Sequence, residues 1–336
     1  MPLFAVTITW DSVSQLLVTG VINGAAYGLL GVGFALILGV SGRFHFAYSF
    51  TYALAAYGAF WASSRAGLPF GVAAVFGVLV CVLAGVTIER VGYRALAHQA
   101  GASALLAIFV ASLGIGIAGE NLLRLTFSSA NQQLEGPDGL RTVVRWGPTA
   151  FRWVDVWQVL SAVVLVLGLT ALLRYTVLGR SIKATRGNPE LARIIGINPD
   201  TIYVICFAIG SLFAGVAAFW FGLKYSVAAD MGFKPVIYAF VVGFLAGTAR
   251  APVRIFIVGV LLSVVEQLSS LWLETRWTQL VVFVILVVYL GSLSINWRRI
   301  AALIRNPAAL WGRVRVDDDE EEEELWRSGT STPASL

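Results

Sequence analysis

One ionisable residue stands inside a long apolar run of this chain. Glu266 is the only carboxylate well inside a segment apolar enough to cross a bilayer, where a charged side chain costs about 2.5–3.5 kcal/mol on insertion scales. Ser263, Gln267 and Ser270 fall on the same helical face, which predicts that this face turns away from lipid. Two roles are open for Glu266: it holds or gates a cationic group that crosses the membrane, or it hydrogen-bonds to a neighbouring helix.

Two other polar faces interrupt the apolar runs near the start of the chain. Asn23 and Tyr27 are four residues apart in the first run, and His45, Tyr48 and Tyr52 recur at helical spacing around the start of the second. Side chains at this spacing share one face of a helix. Such faces suit either a wetted path between helices or interhelical hydrogen bonds, and the sequence leaves both interpretations open.

Several kinds of chemistry have no matching residues. The chain contains no G-x-x-x-x-G-K-[ST], G-x-S-x-G or H-E-x-x-H pattern. No acid lies at metal-ligand spacing from His45 or His98, and Cys81 and Cys206 stand apart in separate apolar runs. We therefore expect no catalytic residue, no metal site and no cofactor, and any uphill work would have to come from another chain.

A short helix is predicted between two apolar runs, from Asn188 to Asn198. Asn188 is a favourable N-cap and Pro189 suits the first helical position. Glu190 suits the positive end of the helix dipole, and Gly196 provides a left-handed stop. These signals predict a capped helix of about two turns.

The two faces of this short helix differ. Leu191, Ile194 and Ile195 fall on one side, whereas Glu190 and Arg193 fall on another. A half-apolar capped helix of this kind suits docking into a groove on another protein. A helix on the membrane surface and a plain connector are the alternatives.

The composition identifies the environment in which these residues must work. Of 336 residues, 58% are apolar and 13% are charged, and the mean hydropathy is +0.79. A soluble domain carries about 25% charged residues, so this balance excludes a soluble enzyme, a secreted domain and a disordered chain. The predicted partner of most of the surface is a lipid bilayer, and no nucleic-acid partner is expected.

Nine apolar runs have about the length of a membrane span. They are residues 15–40, 46–63, 68–88, 102–120, 154–173, 201–222, 235–249, 253–271 and 278–295. The second and seventh are short enough to be re-entrant or tilted segments. The predicted fold class is an all-α polytopic membrane protein of eight or nine transmembrane helices.

The first span carries a row of small residues. Gly20, Gly24 and Gly28 recur every four residues, a spacing that lets another helix approach closely. Helix packing is the predicted role of all three.

The distribution of arginine and lysine predicts an orientation. If loop 174–200 is cytoplasmic and the spans alternate, twelve basic residues fall in short inner loops and four in short outer loops. Nine spans then give an outer N-terminus and a cytoplasmic C-terminus. The predicted organisation is an extracytoplasmic segment 1–14, a transmembrane domain 15–297 with a cytoplasmic loop 174–200 and an extracytoplasmic loop 121–153, and a cytoplasmic basic stretch and disordered acidic tail 298–336.

From about residue 15 to residue 295 the sequence resembles the permease subunits of branched-chain amino-acid ABC importers. The stretch 188–198 resembles that family's coupling loop, NPE-A-R--GIN, and Ile22-Asn23-Gly24 with Tyr27-Gly28 resembles its opening, -INGL--G--YAL-ALG. Two family patterns differ here: His45-Phe46-Ala47-Tyr48-Ser49 stands for N-F-A-H-G, and Gly243 to Arg250 stands for a GG-G loop.

The resemblance implies a non-enzymatic transporter subunit with several partners. They are cytoplasmic ABC ATPases, a second permease subunit that is either identical or a sister chain, and an extracytoplasmic solute-binding protein. The positions that the resemblance assigns to ATPase contact are Asn188, Pro189, Glu190, Ala192, Arg193, Gly196 and Ile197.

Alternatives remain for the cargo and for the class. The resemblance implies branched-chain or other small amino acids, but related permeases take urea, short amides or other small polar solutes. An autonomous channel or ion-coupled carrier would need several intramembrane charges, of which Glu266 is the only one predicted. The acidic run 317–324 is either a solvated, disordered end or a brake that folds back on the basic stretch or on the ATPases.

Overall fold

The computed structural model describes residues 9–99, 104–127, 130–248, 250–274 and 277–294, with only the backbone at residues 98, 99, 293 and 294. The predicted tail 298–336 and most of the predicted segment 1–14 lie outside these residues. The chain forms two compact units, Met1–Leu286 and Val287–Leu336. The candidate sites lie in the first unit.

Helices make up most of the described chain. They are α1 (Trp10–Ser41), α2 (Tyr48–Phe60), α3 (Phe70–Thr87), α4 (Arg94–Gln99), α5 (Ala104–Phe127), α6 (Asp138–Arg141), α7 (Trp153–Tyr175), α8 (Val177–Gly187), α9 (Pro189–Ile194), α10 (Pro199–Lys224), α11 (Phe233–Ala246), α12 (Pro252–Ser269) and α13 (Thr278–Ser294). Single π-helical segments, Trp61–Arg65 and Ile88–Tyr93, extend α2 and join α3 to α4. Strands β1 (Val143–Trp146) and β2 (Thr149–Arg152) form an antiparallel hairpin, with Val143 opposite Arg152.

Six of these helical segments are long and apolar enough to cross a membrane: α1, the continuous helix Phe70–Ala97, α5, α7, α10 and α12. The coarse prediction of a helical, polytopic membrane protein is therefore confirmed. Each of the nine predicted spans coincides with a helix, but several bounds were wrong. The first helix begins at Trp10 rather than residue 15, and the predicted loop 121–153 contains the last turns of α5 and the β-hairpin.

The apolar surface fits a bilayer. Large apolar side chains are exposed along α3, α5 and α7, among them Leu79, Val110 and Leu167. In water such a surface would drive aggregation, whereas lipid solvates it. The buried side chains concentrate on α1, α2, α10 and α11, which form the inner part of the bundle.

The two short predicted spans are short helices inside this core. The α2 helix has 13 residues with a π-helical extension of five, and α11 has 14. These segments rise about 25 Å and about 20 Å, less than the roughly 30 Å of a bilayer core. Their first turns meet inside the bundle, where Ser49 lies against Gly232. The Tyr48 hydroxyl donates to the Gly210 carbonyl of α10 at 2.7 Å and fixes the start of α2 at this level.

The row of small residues on α1 faces α12. A Cβ atom on Gly20 would lie 2.8 Å from Val264 Cα, and one on Gly24 would lie 2.6 Å from Val260 Cα. On Gly28 it would lie 2.7 Å from the Phe256 carbonyl oxygen. Because no side chain fits at these distances, the backbones of α1 and α12 approach closely along three turns.

The bundle has two ends, named here by their landmarks. The hairpin end carries β1, β2 and the starts of α1 and α7, and the Gln15 side-chain amide clamps it. That amide donates to the Ala150 carbonyl at 3.0 Å and accepts from the Ala150 N–H at 2.7 Å. The α9 end carries α8, α9, the last turns of α1 and α7, and the start of α10.

Candidate functional site

The α9 segment is a self-capped helix of six residues. The Asn188 side-chain oxygen accepts from the backbone N–H of Glu190 at 2.9 Å and of Leu191 at 3.1 Å, and Pro189 occupies the first turn. The predicted start is therefore confirmed.

The C-terminal end of α9 is capped as well. Gly196 has φ +83°, its N–H donates to the Arg193 carbonyl at 3.0 Å, and the Ile197 N–H donates to the Ala192 carbonyl at 2.9 Å. This pair of bonds is a Schellman motif, which needs a left-handed residue that glycine supplies without strain. The predicted stop at Gly196 is confirmed, although the helix is slightly shorter than two turns.

The side chains of α9 point in two directions. Ala192 is 2% exposed and anchors the helix on the bundle, whereas Leu191, Ile194 and Ile195 are 59%, 80% and 70% exposed. Glu190 and Arg193 are exposed as well. Both ends of the helix are already capped without these three apolar side chains. Their exposure therefore creates an apolar surface that is open to a partner.

The seven positions assigned by resemblance therefore divide by what they do locally. Asn188, Pro189 and Gly196 build the helix ends, while Ala192 and the half-buried Ile197 seat the segment on the bundle. The other two, Glu190 and Arg193, present their charges outward.

A second cluster surrounds Glu266, which is 2% exposed on α12. The Tyr238 hydroxyl of α11 donates to Glu266 Oε1, and Lys234 Nζ lies 3.7 Å from the same oxygen. The second carboxylate oxygen, Oε2, is buried and has no hydrogen-bond partner among the described residues. We call Glu266, Tyr238 and Lys234 the Glu266 cluster.

A polar cavity of about 230 Å³ adjoins this cluster. It is lined by Asn23, Ala26, Tyr27, Gln158, Phe221, Tyr225, Lys234 and Gln267. Tyr27 stacks on Tyr238 with ring centroids 4.4 Å apart. The fold thus brings together three of the predicted path residues, Asn23, Tyr27 and Glu266, with the half-exposed ammonium of Lys234 reaching the cavity.

The other three predicted path residues lie elsewhere in the core. His45 Nδ1 is 2.9 Å from the Tyr93 hydroxyl, and the Tyr48 and Tyr52 hydroxyls donate to the α10 carbonyls of Gly210 and Ala217. All three are buried, and none lines the cavity beside Glu266. Their contacts are those of the alternative interpretation, interhelical hydrogen bonding.

Glu266 is not the only carboxylate inside a span, and that prediction was wrong. The helix that begins at Phe70 continues through Ala97, and within it Glu89 is buried and paired with Arg43. The Arg43 guanidinium also stands 5.0 Å from the Tyr203 ring centroid. Hydropathy ended the span at residue 88 because Glu89 and Arg90 follow, and the partner 46 residues away gave no local signal.

Two lysines assigned to short loops also reach buried acids. Lys224 Nζ lies 2.6 Å from Asp155 Oδ1, with both side chains almost fully buried, and Lys234 belongs to the Glu266 cluster. Within the described residues, no group of three His, Cys, Asp or Glu side chains could hold a metal ion. Several polar groups among the described residues therefore form ion pairs and hydrogen bonds between helices, and a cavity adjoins the Glu266 cluster.

Three features fit a membrane permease: apolar helices long enough to span a membrane, a cavity lined in part by polar residues, and an exposed capped helix at one end. The sequence matches the family described as branched-chain amino acid transport system / permease component over residues 16–290. The chain belongs to this family, whose members are permease subunits of ABC-type transport systems, and it is a multi-pass inner-membrane protein.

Curated relatives agree with this assignment. The chain is 30% identical over 288 residues to the high-affinity branched-chain amino acid transport system permease protein LivH of Escherichia coli K12, covering 82% of this chain and 92% of LivH. It is 29% identical over 317 residues to the corresponding permease protein BraD of Pseudomonas aeruginosa, covering 90% of this chain and 97% of BraD. A solved structure, PsaBC from Streptococcus pneumoniae in complex with Fab, is 13% identical with a TM-score of 0.44, covering 82% of this chain and 90% of that chain. That likeness is too weak to define the fold or the function.

Proposed function

We propose that this chain is the transmembrane permease subunit of an ATP-driven importer for branched-chain or other small amino acids. Two ABC ATPases supply the energy, a second permease subunit completes the path, and a solute-binding protein delivers the amino acid. The chain itself binds no cofactor and carries no catalytic residue. The observation that carries the proposal is the outward apolar surface of α9, in a chain of the permease family.

The proposed contact with the ATPase is a helix-in-groove contact. Leu191, Ile194 and Ile195 enter an apolar groove of the ATPase, and Glu190 and Arg193 meet polar groups at its rim. Ala192 stays on the permease side, because it is already buried against the bundle. The proposal is supported by the self-sufficient caps, which hold α9 in shape before a partner arrives.

The energy source is tested by purification and reconstitution. We expect the full chain to co-purify with an ABC ATPase in a fixed ratio, and the complex to accumulate amino acid in proteoliposomes only with ATP. Concentrative uptake by the chain alone in liposomes would instead identify a carrier and overturn the proposal.

The proposed topology has eight or nine spans, an outer N-terminus and a cytoplasmic C-terminus. It places the α9 end in the cytoplasm and the hairpin end outside, in agreement with the bias of basic residues. Cysteine labelling tests this, because the native Cys81 and Cys206 are buried. In intact cells, an impermeant maleimide should label Val143→Cys in the hairpin and spare Gly187→Cys in α8, and the reverse pattern contradicts the topology.

The proposed path passes the cavity beside the Glu266 cluster. A zwitterionic amino acid carries a carboxylate that matches Lys234 and an ammonium that matches the unpartnered Glu266 Oε2. A neutral urea or amide needs neither charge, so the charged pair favours amino acids over that second candidate.

Charge-neutralising variants test whether the two charges take part in amino-acid uptake. We expect Glu266→Gln to reduce amino-acid uptake by about ten-fold or more, since a charge-assisted hydrogen bond contributes about 1.5–3 kcal/mol. Lys234→Met should lower uptake less, because the lysine is half-exposed. Unchanged uptake in Glu266→Gln with intact ATPase association removes Glu266 from the path.

A further inference from the structure

A separate cavity lies at the α9 end of the bundle. It has a volume of about 380 Å³ and opens between α1, α7, α8 and the start of α12. Its wall is apolar, with Val32, Leu36, Leu169 and Ile255 among the buried side chains that form it. Nothing in the proposed translocation path uses this cavity.

The charged residues that line the cavity are all cationic, and we call them its rim. Arg174, Lys183, Arg186 and Arg250 line it, and no acidic residue does. Among the described residues, none of these four forms an ion pair within 4.0 Å of a carboxylate, unlike Arg43, Arg94 and Lys224. Four basic side chains without a described acidic partner therefore surround one apolar opening.

In the proposed topology, the cavity lies near the level expected for the lipid headgroups on the cytoplasmic side. The helices that form it end or begin at this level, at Ser41, Tyr175 and Pro252. Ile182 of α8 is buried in the wall, while Lys183 and Arg186 of the same helix belong to the rim. Basic pockets between helices on the inner side of a membrane suit anionic headgroups.

We propose that this cavity is a binding site for one anionic phospholipid. The phosphate lies among Arg174, Lys183, Arg186 and Arg250, and an acyl chain follows the apolar wall of α1 and α7. The bound lipid joins α8 to the bundle, because Lys183 and Arg186 come from α8 and Arg250 precedes α12. The site rests on the membrane location of the chain and on the proposed topology, and it does not depend on the proposed cargo.

The wall distinguishes a phospholipid from other anions. Inorganic phosphate would satisfy the rim but leave the apolar wall empty, whereas a phospholipid matches both. The acidic run 317–324 of this chain has the right charge as well. A peptide that contains this run is therefore the competing occupant in the binding experiment.

The test measures lipid binding to the full-length protein by native mass spectrometry. We expect dioleoyl-phosphatidylglycerol to bind and dioleoyl-phosphatidylcholine not to compete. The double variant Lys183→Gln/Arg186→Gln should bind phosphatidylglycerol about 25-fold more weakly, about five-fold for each charge removed. Ala251→Trp keeps every charge but fills the mouth of the cavity, and should also lose the lipid.

The matched control is Arg180→Gln. Arg180 is an exposed cation on the same helix that does not line the cavity, so its loss should change the affinity by less than about two-fold in physiological salt. An equal loss of affinity in Arg180→Gln overturns the site, because it indicates general attraction to the surface. Displacement of the lipid by excess inorganic phosphate overturns it as well. The same holds if the double variant keeps phosphatidylglycerol but loses a synthetic peptide of residues 314–328.

Discussion

The α9 segment and the Glu266 cluster treat polar and apolar groups in opposite ways. On α9 the Asn188 side chain and the backbone groups cap the helix, and the apolar side chains of Leu191, Ile194 and Ile195 are exposed beside the charged Glu190 and Arg193. In the Glu266 cluster the carboxylate of Glu266 is buried among the helices, and Lys234, which lies 3.7 Å from it, lines the adjoining cavity.

This difference indicates what each region lacks. An exposed apolar surface is completed by an apolar partner, whereas a buried carboxylate with a free oxygen is completed by a donor. In the proposed function, the first requirement is met by a protein that stays bound, and the second by a small polar solute that passes. Variants that affect one region and spare the other test whether the two are independent.

The largest expected effect is on α9. Leu191→Asp/Ile194→Asp places two charges on the proposed contact surface, and we expect ATPase association and uptake to fall to background. A loss of at least about 4 kcal/mol, or a thousand-fold in affinity, follows from burying unpaired charges in an interface. Co-purification measures the association, and uptake in proteoliposomes measures the consequence.

The control for this variant is Val177→Asp, an exposed apolar residue in the first turn of α8. An acid is favourable at that position of a helix, and association should persist. Retained association in the α9 double variant would show that its apolar surface has no partner and would remove the basis of the comparison.

The next effect is on the packing that keeps Glu266 buried. Gly24→Leu inserts a side chain where a Cβ would lie 2.6 Å from Val260 Cα, and we expect it to destabilise the bundle by about 3 kcal/mol. Gly114→Leu is the control, because a Cβ on Gly114 has no heavy atom within 4 Å. Thermal unfolding in detergent measures both, and equal stability of the two variants contradicts the close packing of α1 on α12.

A smaller effect is expected inside the Glu266 cluster. Tyr238→Phe removes the hydroxyl that donates to Glu266, leaving the carboxylate without that donor, and should lower the unfolding free energy by about 1–3 kcal/mol. Tyr27→Phe keeps the ring that stacks on Tyr238 and leaves the Glu266 bond intact. If the unfolding free energy falls equally in the two variants, the hydrogen bond to Glu266 contributes no more to stability than the Tyr27 hydroxyl does.

The smallest effect is on the cap of α9. Asn188→Ala removes two hydrogen bonds from the first turn, and should cost about 1 kcal/mol that is confined to α9. Hydrogen exchange at the Glu190 and Leu191 amides should accelerate about five-fold, while the melting temperature of the bundle stays constant. A fall in the global melting temperature would mean that α9 is coupled to the bundle more tightly than its few contacts indicate.

The sequence predicts α9 well because its determinants are local. Asn188, Pro189 and Gly196 act within a few residues of one another, and each has a strong positional preference. The start of α10 is equally clear, since Asn198 caps it and Pro199 follows. The helical fold class follows from hydropathy for the same reason.

The buried charges could not be predicted in this way. Glu266 stands out as an ionisable residue in an apolar run, but Tyr238 and Lys234 are 28 and 32 residues away and meet it only through packing. Glu89 was missed because a hydropathy window ends at the first pair of charges, and its neutralising partner Arg43 lies on another segment. Tyr48 and Tyr52 look alike whether they line a path or bond to a helix, and only the position of α10 separates the two roles.

The amide clamp between Gln15 and Ala150 has a mechanical consequence. It ties the β-hairpin to the first turns of α1, which then runs 32 residues without a break, or about 48 Å at 1.5 Å per residue. This continuous helix connects the hairpin end of the bundle to the α9 end, where its last turns line the cavity of about 380 Å³. We therefore expect a displacement of the hairpin to be felt at that cavity as well.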